Sequence, residues 1–139
     1  ISLYDFNLGC PSPHAKQCQV GYFMINNYRA IEEILKEIKA NTKKPITIKL
    51  RKSEETEEVI KIAEKYCDAI CIHPRTASQG YSGTPDLEYA KHIREISPDV
   101  DMTFDFTCSD PKSIGCTFER RTEIPIGMSF LWPDFEPGR

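Results

Sequence analysis

Short β-branched runs alternating with amphipathic helical stretches constrain this chain more than any other feature. Pro45 opens the run Ile46 to Leu50, and Ala69, Ile70, Cys71 and Ile72 form a second compact apolar run, the pattern of a strand covered on both faces. Tyr28 to Ala40 places Ile31, Ile34, Leu35 and Ile38 on one helical face, with Glu32, Glu33, Lys36 and Lys39 elsewhere and Asn27 as N-cap. Ser53, with Glu54, Glu55 and Thr56 after it, predicts the start of another helix. Its Val59, Ile60, Ile62 and Ala63 would line the core up to about Tyr66. Asp86 to Ile96 reads as a third helix, stopped near Pro98. Ser2 to Asn7 reads as a strand entering a turn at Gly9, Cys10 and Pro11, and Met102 to Phe106 as a fourth strand. Strand and helix therefore alternate throughout, which predicts an α/β fold with parallel strands, either an open sheet or part of a β/α barrel.

The boundaries of this organisation show in the composition. After about Pro98 the character changes, and residues 108–139 are rich in Pro, Gly and Thr without helical periodicity. Residues 1–98 are expected to form the α/β portion and 99–139 an irregular C-terminal segment. With 40% hydrophobic and 28% charged residues the chain has the balance of a globular protein. No apolar run approaches the roughly 18–20 residues of a membrane span, and no signal pattern follows Ile1, so an intracellular, cytoplasmic protein is expected, trimmed or partial at its start. A net charge of −3 carries no global nucleic-acid signature, so any RNA contact has to be local. The six cysteines are expected as free thiols rather than as a disulfide framework. Cys10, His14 and Cys18 stand four residues apart, and so do Cys67 and Cys71, without the C-x-x-C clamps of structural zinc sites. No metal is expected.

Three motifs end the three best strands. They are Asp5-Phe6-Asn7-Leu8-Gly9-Cys10-Pro11, Thr47-Ile48-Lys49-Leu50-Arg51, and His73-Pro74-Arg75-Thr76 followed by Gln79-Gly80-Tyr81-Ser82-Gly83. In a β/α barrel, the carboxyl ends of the strands form the active-site face. Cys10 has the chemistry of a nucleophile, a proton donor or a metal ligand, and it equally fits a small buried apolar position. Gly9 beside it would allow a tight backbone. Lys49 at the end of an apolar strand needs an anionic partner, either a ligand or a salt bridge. His73 suits a cofactor hydrogen bond or a satisfied core position, and Arg75 a phosphate or base edge or a loop salt bridge. Tyr81 suits base stacking or a lid over the strand ends. Each bland reading stands alone, but Cys, Lys, His and Arg at three successive strand ends make a coincidence.

Asn7-Leu8-Gly9-Cys10-Pro11-Ser12, Lys49-Leu50-Arg51 and His73-Pro74-Arg75-Thr76 with Gln79, Tyr81 and Gly83 resemble the tRNA-dihydrouridine synthases in identity, order and spacing, over about Ser2 to Ile96. Gly21 matches a glycine that follows the cysteine motif of that family. The resemblance implies a partial (β/α)8 TIM barrel holding FMN, with NADPH as reductant and tRNA as partner. It further implies hydride transfer to C6 of a flipped-out uridine, and protonation of C5 by the residue matching Cys10. It places Asn7, Lys49 and His73 at the flavin and Arg75 and Tyr81 near the substrate.

Departures from the family are visible. The chain begins at what would be the third barrel strand, and Gly21-Tyr22-Phe23-Met24 is bulkier than the family pattern. Where a strand leading to Gly-rich phosphate loops is expected, the chain reads Asp101-Met102-Thr103-Phe104-Asp105-Phe106. The family's helical tRNA domain is not in the sequence. A partial barrel leaves strand edges open, so pairing with a second copy is expected. Three other readings remain at this point: another FMN barrel oxidoreductase of the dihydroorotate dehydrogenase type, a non-catalytic degenerate chain, and a zinc module on Cys10, His14 and Cys18.

Overall fold

The structure is a computed structural model that describes residues 2–105. Residues 106–139 of the expected irregular segment, with Phe106, Cys108 and Cys116, lie outside the described residues. Four strands form one parallel sheet in the order β1 (Tyr4–Leu8), β2 (Ile46–Arg51), β3 (Ala69–His73) and β4 (Asp101–Phe104). The helices are α1 (Pro13–Cys18), α2 (Tyr28–Asn41), α3 (Thr56–Ala63) and α4 (Leu87–Ile96), with a 3-10 turn at Gly21–Met24. A sheet whose spatial order equals its chain order is singly wound. Right-handed crossovers then put α2, α3 and α4 on the same face, as in a (β/α)8 barrel and unlike a doubly wound sheet. The fold is α/β, a part of such a barrel.

Strand alternation sorts the two faces. Leu8, Ile46, Ile48, Leu50, Ile70, Ile72, Met102 and Phe104 share one core with Ile31 and Leu35 of α2, Val59, Ile60 and Ala63 of α3, and Ala90 and Ile93 of α4. The intervening positions Asp5, Asn7, Thr47, Lys49, Arg51, Cys71, His73 and Thr103 belong to the opposite face, because successive side chains of a strand alternate. The expectation that β3 is apolar on both faces therefore needs adjustment. Ile70 and Ile72 are core, whereas Cys71 lies half-buried in a polar row.

The helix ends follow the capping chemistry of the sequence. Asn27 Oδ1 accepts from Ala30 N at 3.2 Å and opens α2, and Asp86 Oδ1 accepts from Tyr89 N at 2.9 Å and opens α4. On α2 the contact is narrower than the spacing suggests: Ile31 and Leu35 are fully buried while Ile34 is 37% exposed. α3 begins at Thr56 rather than Ser53. Thr56 Oγ1 accepts from Ser53 N at 3.1 Å and donates to the Arg51 carbonyl at 2.8 Å, so the first turn is spent tying the loop to β2. α1 was not legible in advance. It is six residues long and rests on a Ser12 cap with Pro13 at its first position, not on a repeating apolar pattern.

Candidate active site

Parallel register aligns the polar face into rows that run across the sheet. Asn7 stands opposite Lys49, Lys49 opposite Cys71, and Cys71 opposite Thr103. One step toward the carboxyl ends, Arg51 stands opposite His73. Residues far apart in sequence meet here because each occupies the same parity and the same end of its strand.

The turn after β1 is organised by Asn7, whose Oδ1 accepts from Gly9 N at 3.0 Å and Cys10 N at 3.1 Å, an Asx turn. Its Nδ2 group has no partner among the described residues. Cys10 Sγ lies 3.4 Å from Ser12 Oγ, which also accepts from Ala15 N as the cap of α1. The Ser12 hydroxyl and then its backbone N–H hold the Cys10 thiol below its ordinary pKa against burial, and the Arg51 charge adds least. The Cys10 thiol therefore ionises more readily than a free cysteine. Its carbonyl accepts from Tyr22 N at 3.1 Å. Gly21 carries a φ of +60°, and a Cβ built there would lie 2.8 Å from the Cys10 carbonyl oxygen. Gly9 differs from the expectation: a Cβ there meets the Leu50 carbonyl carbon at an ordinary 3.5 Å, and its φ is not in the left-handed region. The glycine that backbone geometry demands in this motif is Gly21.

Lys49 Nζ donates to Asp105 Oδ2 at 2.8 Å. Burial works against the ammonium, but the Asp105 carboxylate outweighs it and raises the Lys49 pKa, so the side chain stays charged. His73 shows the opposite balance. Burial first, and the neighbouring Arg51 charge second, push its pKa down to about 4, leaving a neutral ring at physiological pH. Arg75 Nη1 lies 3.1 Å from His73 Nε2, and since arginine only donates, Nε2 is the acceptor and the ring proton sits on Nδ1.

The β3–α4 loop is pinned by two arginines. Arg75 is fully buried, and its Nε and Nη2 donate to the Gly83 carbonyl at 3.2 and 3.1 Å. Arg51, only 3% exposed, donates from Nε to the Gly9 carbonyl at 3.1 Å and from Nη1 to the Thr76 and Gly80 carbonyls at 3.2 and 2.7 Å. Tyr81, 53% exposed, sits over this floor with its ring centroid 5.4 Å from that of His73 and 5.8 Å from Arg51 Cζ.

Cys10, Asn7, Lys49, His73 and Tyr81 are thus gathered at one edge of the sheet, and Arg75 lies beneath the loop that carries Tyr81. Sequence reasoning gave no role to Arg51, Ser12 or Asp105. Arg51 was signalled by its place two residues after Lys49 on the same strand face, whereas nothing local marks Asp105 as the partner of Lys49. His14 and Cys18 approach each other at 3.7 Å on the exposed side of α1, and among the described residues no three His, Cys, Asp or Glu side chains form a metal-binding group. The charged Lys49, the Asn7 amide and the Nδ1–H of His73 form a donor set suited to the carbonyl- and nitrogen-rich edge of a flavin ring.

The sequence profile of the family described as dihydrouridine synthase (Dus) matches residues 2–105. The chain belongs to the dihydrouridine synthase family. That match reaches beyond Ile96, where the motif resemblance ends, and takes in β4. Among curated relatives, tRNA-dihydrouridine(16/17) synthase of Saccharomyces cerevisiae, whose name includes NAD(P)(+), is 28% identical over 106 residues, covering 72% of this chain and 25% of the relative. tRNA-dihydrouridine synthase B of Vibrio parahaemolyticus is 28% identical over 99 residues, covering 67% of this chain and 31% of the relative. The chain therefore spans between a quarter and a third of the length of these Dus relatives. No helix among the described residues is long and apolar enough to cross a membrane.

Proposed function

We propose that this chain is the portion of a tRNA-dihydrouridine synthase that presents the flavin-facing strand ends and the proton donor. The observation that carries the reading is the convergence of Cys10, held on the Asn7 turn, with Lys49 and His73 at one edge of a singly wound parallel sheet in a Dus chain. Residues 1–98 carry this set, and the segment 99–139 adds β4 and Asp105.

When bound, FMN reduced by NADPH supplies the hydride for C6 of uridine in tRNA. Asn7 and Lys49 would hold the polar edge of the ring as hydrogen-bond donors, the Asp105 carboxylate keeping the Lys49 ammonium protonated. His73, neutral and protonated on Nδ1, donates one hydrogen bond without adding a second full charge. Cys10 delivers a proton from Sγ to C5, and its lowered pKa makes it a stronger acid than a free thiol; general-acid catalysis typically contributes about 10²- to 10⁴-fold. Tyr81 faces the extruded base, and Arg75 serves the substrate side by holding the Tyr81 loop.

The test is an FMN titration of the chain followed by flavin fluorescence, with Lys49→Met and Cys10→Ala variants. Saturable binding weakened by Lys49→Met and kept by Cys10→Ala is expected, together with dihydrouridine formation in the full-length protein that Cys10→Ala nearly abolishes. Normal dihydrouridine formation by Cys10→Ala would remove the proton-donor role. Equal FMN affinity in parent and Lys49→Met would remove Lys49 from the site.

A further inference from the structure

Arg51 is a buried cation whose hydrogen bonds all go to carbonyls, and the identity of those carbonyls is informative. Gly9 immediately precedes Cys10, and Gly80 immediately precedes Tyr81. One guanidinium therefore grips the residue before the reactive thiol and the residue before the exposed ring, with Thr76 as a third contact. Its strand is anchored behind it by Thr56 Oγ1, which donates to the Arg51 carbonyl at 2.8 Å. A planar fork with several fixed donors can bridge two loops, whereas an ammonium on a flexible stem cannot hold the same directions. Burying a charge is tolerable only when such acceptors surround it, so the two loops and the cation stabilise one another.

We propose that Arg51 is a positioning residue that couples the Cys10 loop to the Tyr81 loop, so that a displacement of the Tyr81 loop changes the exposure and reactivity of Cys10. In the reading above, on which its functional meaning rests, a base seated against Tyr81 would thereby set the proton donor. The coupling itself is a property of the chain alone and is measured without flavin, tRNA or turnover.

The experiment is the alkylation of Cys10 by iodoacetamide as a function of pH, resolved by peptide mass spectrometry, in the parent, Arg51→Lys, Gly80→Ala and the double variant. Gly80 has a φ of +58° with nothing within 4 Å of a built Cβ, so Gly80→Ala disturbs the loop backbone without a clash. Cys18, exposed, serves as the internal rate reference, and Cys67 and Cys71, half-buried with pKa values raised by burial, report on the fold. The expected result is that Gly80→Ala changes the Cys10 rate relative to Cys18 by about twofold or more, and that this change disappears in the Arg51→Lys background. Equal effects of Gly80→Ala with and without Arg51 would overturn the coupling. If Arg51→Lys also opens Cys67 and Cys71 to alkylation, Gly80→Ala alone decides. An unchanged Cys10 rate and pH profile in that variant overturns the proposal. Coupled loops in this chain together with a full-length protein that never reduces uridine would retire the enzymatic reading and leave this one standing.

Discussion

Gly21→Ala is expected to be the most destabilising glycine substitution in the site, and the reason can be worked out against Gly80→Ala. Both positions have nearly the same left-handed φ, +60° and +58°. An alanine in that region costs about 1–2 kcal/mol, and at Gly80 this is the whole penalty because the built Cβ meets nothing within 4 Å. At Gly21 the Cβ falls 2.8 Å from the Cys10 carbonyl oxygen and 3.3 Å from the Cys10 Cβ. Backbone cannot swing aside as a side-chain tip can. Relief must stretch the Tyr22 N–H bond to that carbonyl, worth about 1 kcal/mol, and shift the turn, an overpacking cost of about 1–3 kcal/mol. Gly21→Ala should therefore lose about 2 kcal/mol or more beyond Gly80→Ala. With a urea slope of about 1–3 kcal/mol/M, the midpoints followed by far-ultraviolet circular dichroism should differ by roughly 1 M or more if the slope is near 2 or less. Midpoints of the two variants that coincide would refute the steric argument and leave Gly21 with no more than a φ requirement.

Stability should fall as pH drops below about 6.5, because the unfolded chain binds a proton at His73 that the folded chain, with its pKa near 4, refuses. The loss from this residue is about 3 kcal/mol by pH 4, and urea midpoints between pH 7 and pH 4 should be flatter in His73→Gln, which keeps an acceptor for Arg75; parallel curves would count against the buried neutral ring. Asp105→Asn should cost about 1–3 kcal/mol at neutral pH by leaving the Lys49 ammonium with a weaker partner, and no change in midpoint would show that the pair adds nothing. In the folded chain at pH 8, Cys18 should be alkylated ahead of Cys67, whose thiol burial pushes up to about 12. Cys67 reacting as fast as Cys18 would contradict its burial.

Much of the architecture was legible along the chain because it is written in local periods. The β-branched run of 46–50, the apolar face of α2 and the Asn27 cap each depend on residues within a few positions, and each holds in the structure except that Ile34 leaves the α2 face. The family was legible for a related reason, since the motifs that carry it cluster at strand ends. Short elements escaped, because α1 rests on a single cap and not on a period.

What the sequence determined by itself is therefore the order of the strands and longer helices, most of the apolar residues they bury, and which side chains stand at the strand ends. What only the tertiary structure decided is which of those side chains meet. Lys49 finds Asp105 at a separation of 56 positions, and Arg51 finds Gly9 and Gly80 on either side of it in the chain. It is also the tertiary structure that places Arg75 beneath the loop and requires glycine at position 21 and not at position 9. These outcomes depend on strand register and loop approach, which arise when the sheet assembles. No period within a single segment encodes them, because both partners of each contact belong to different strands or loops.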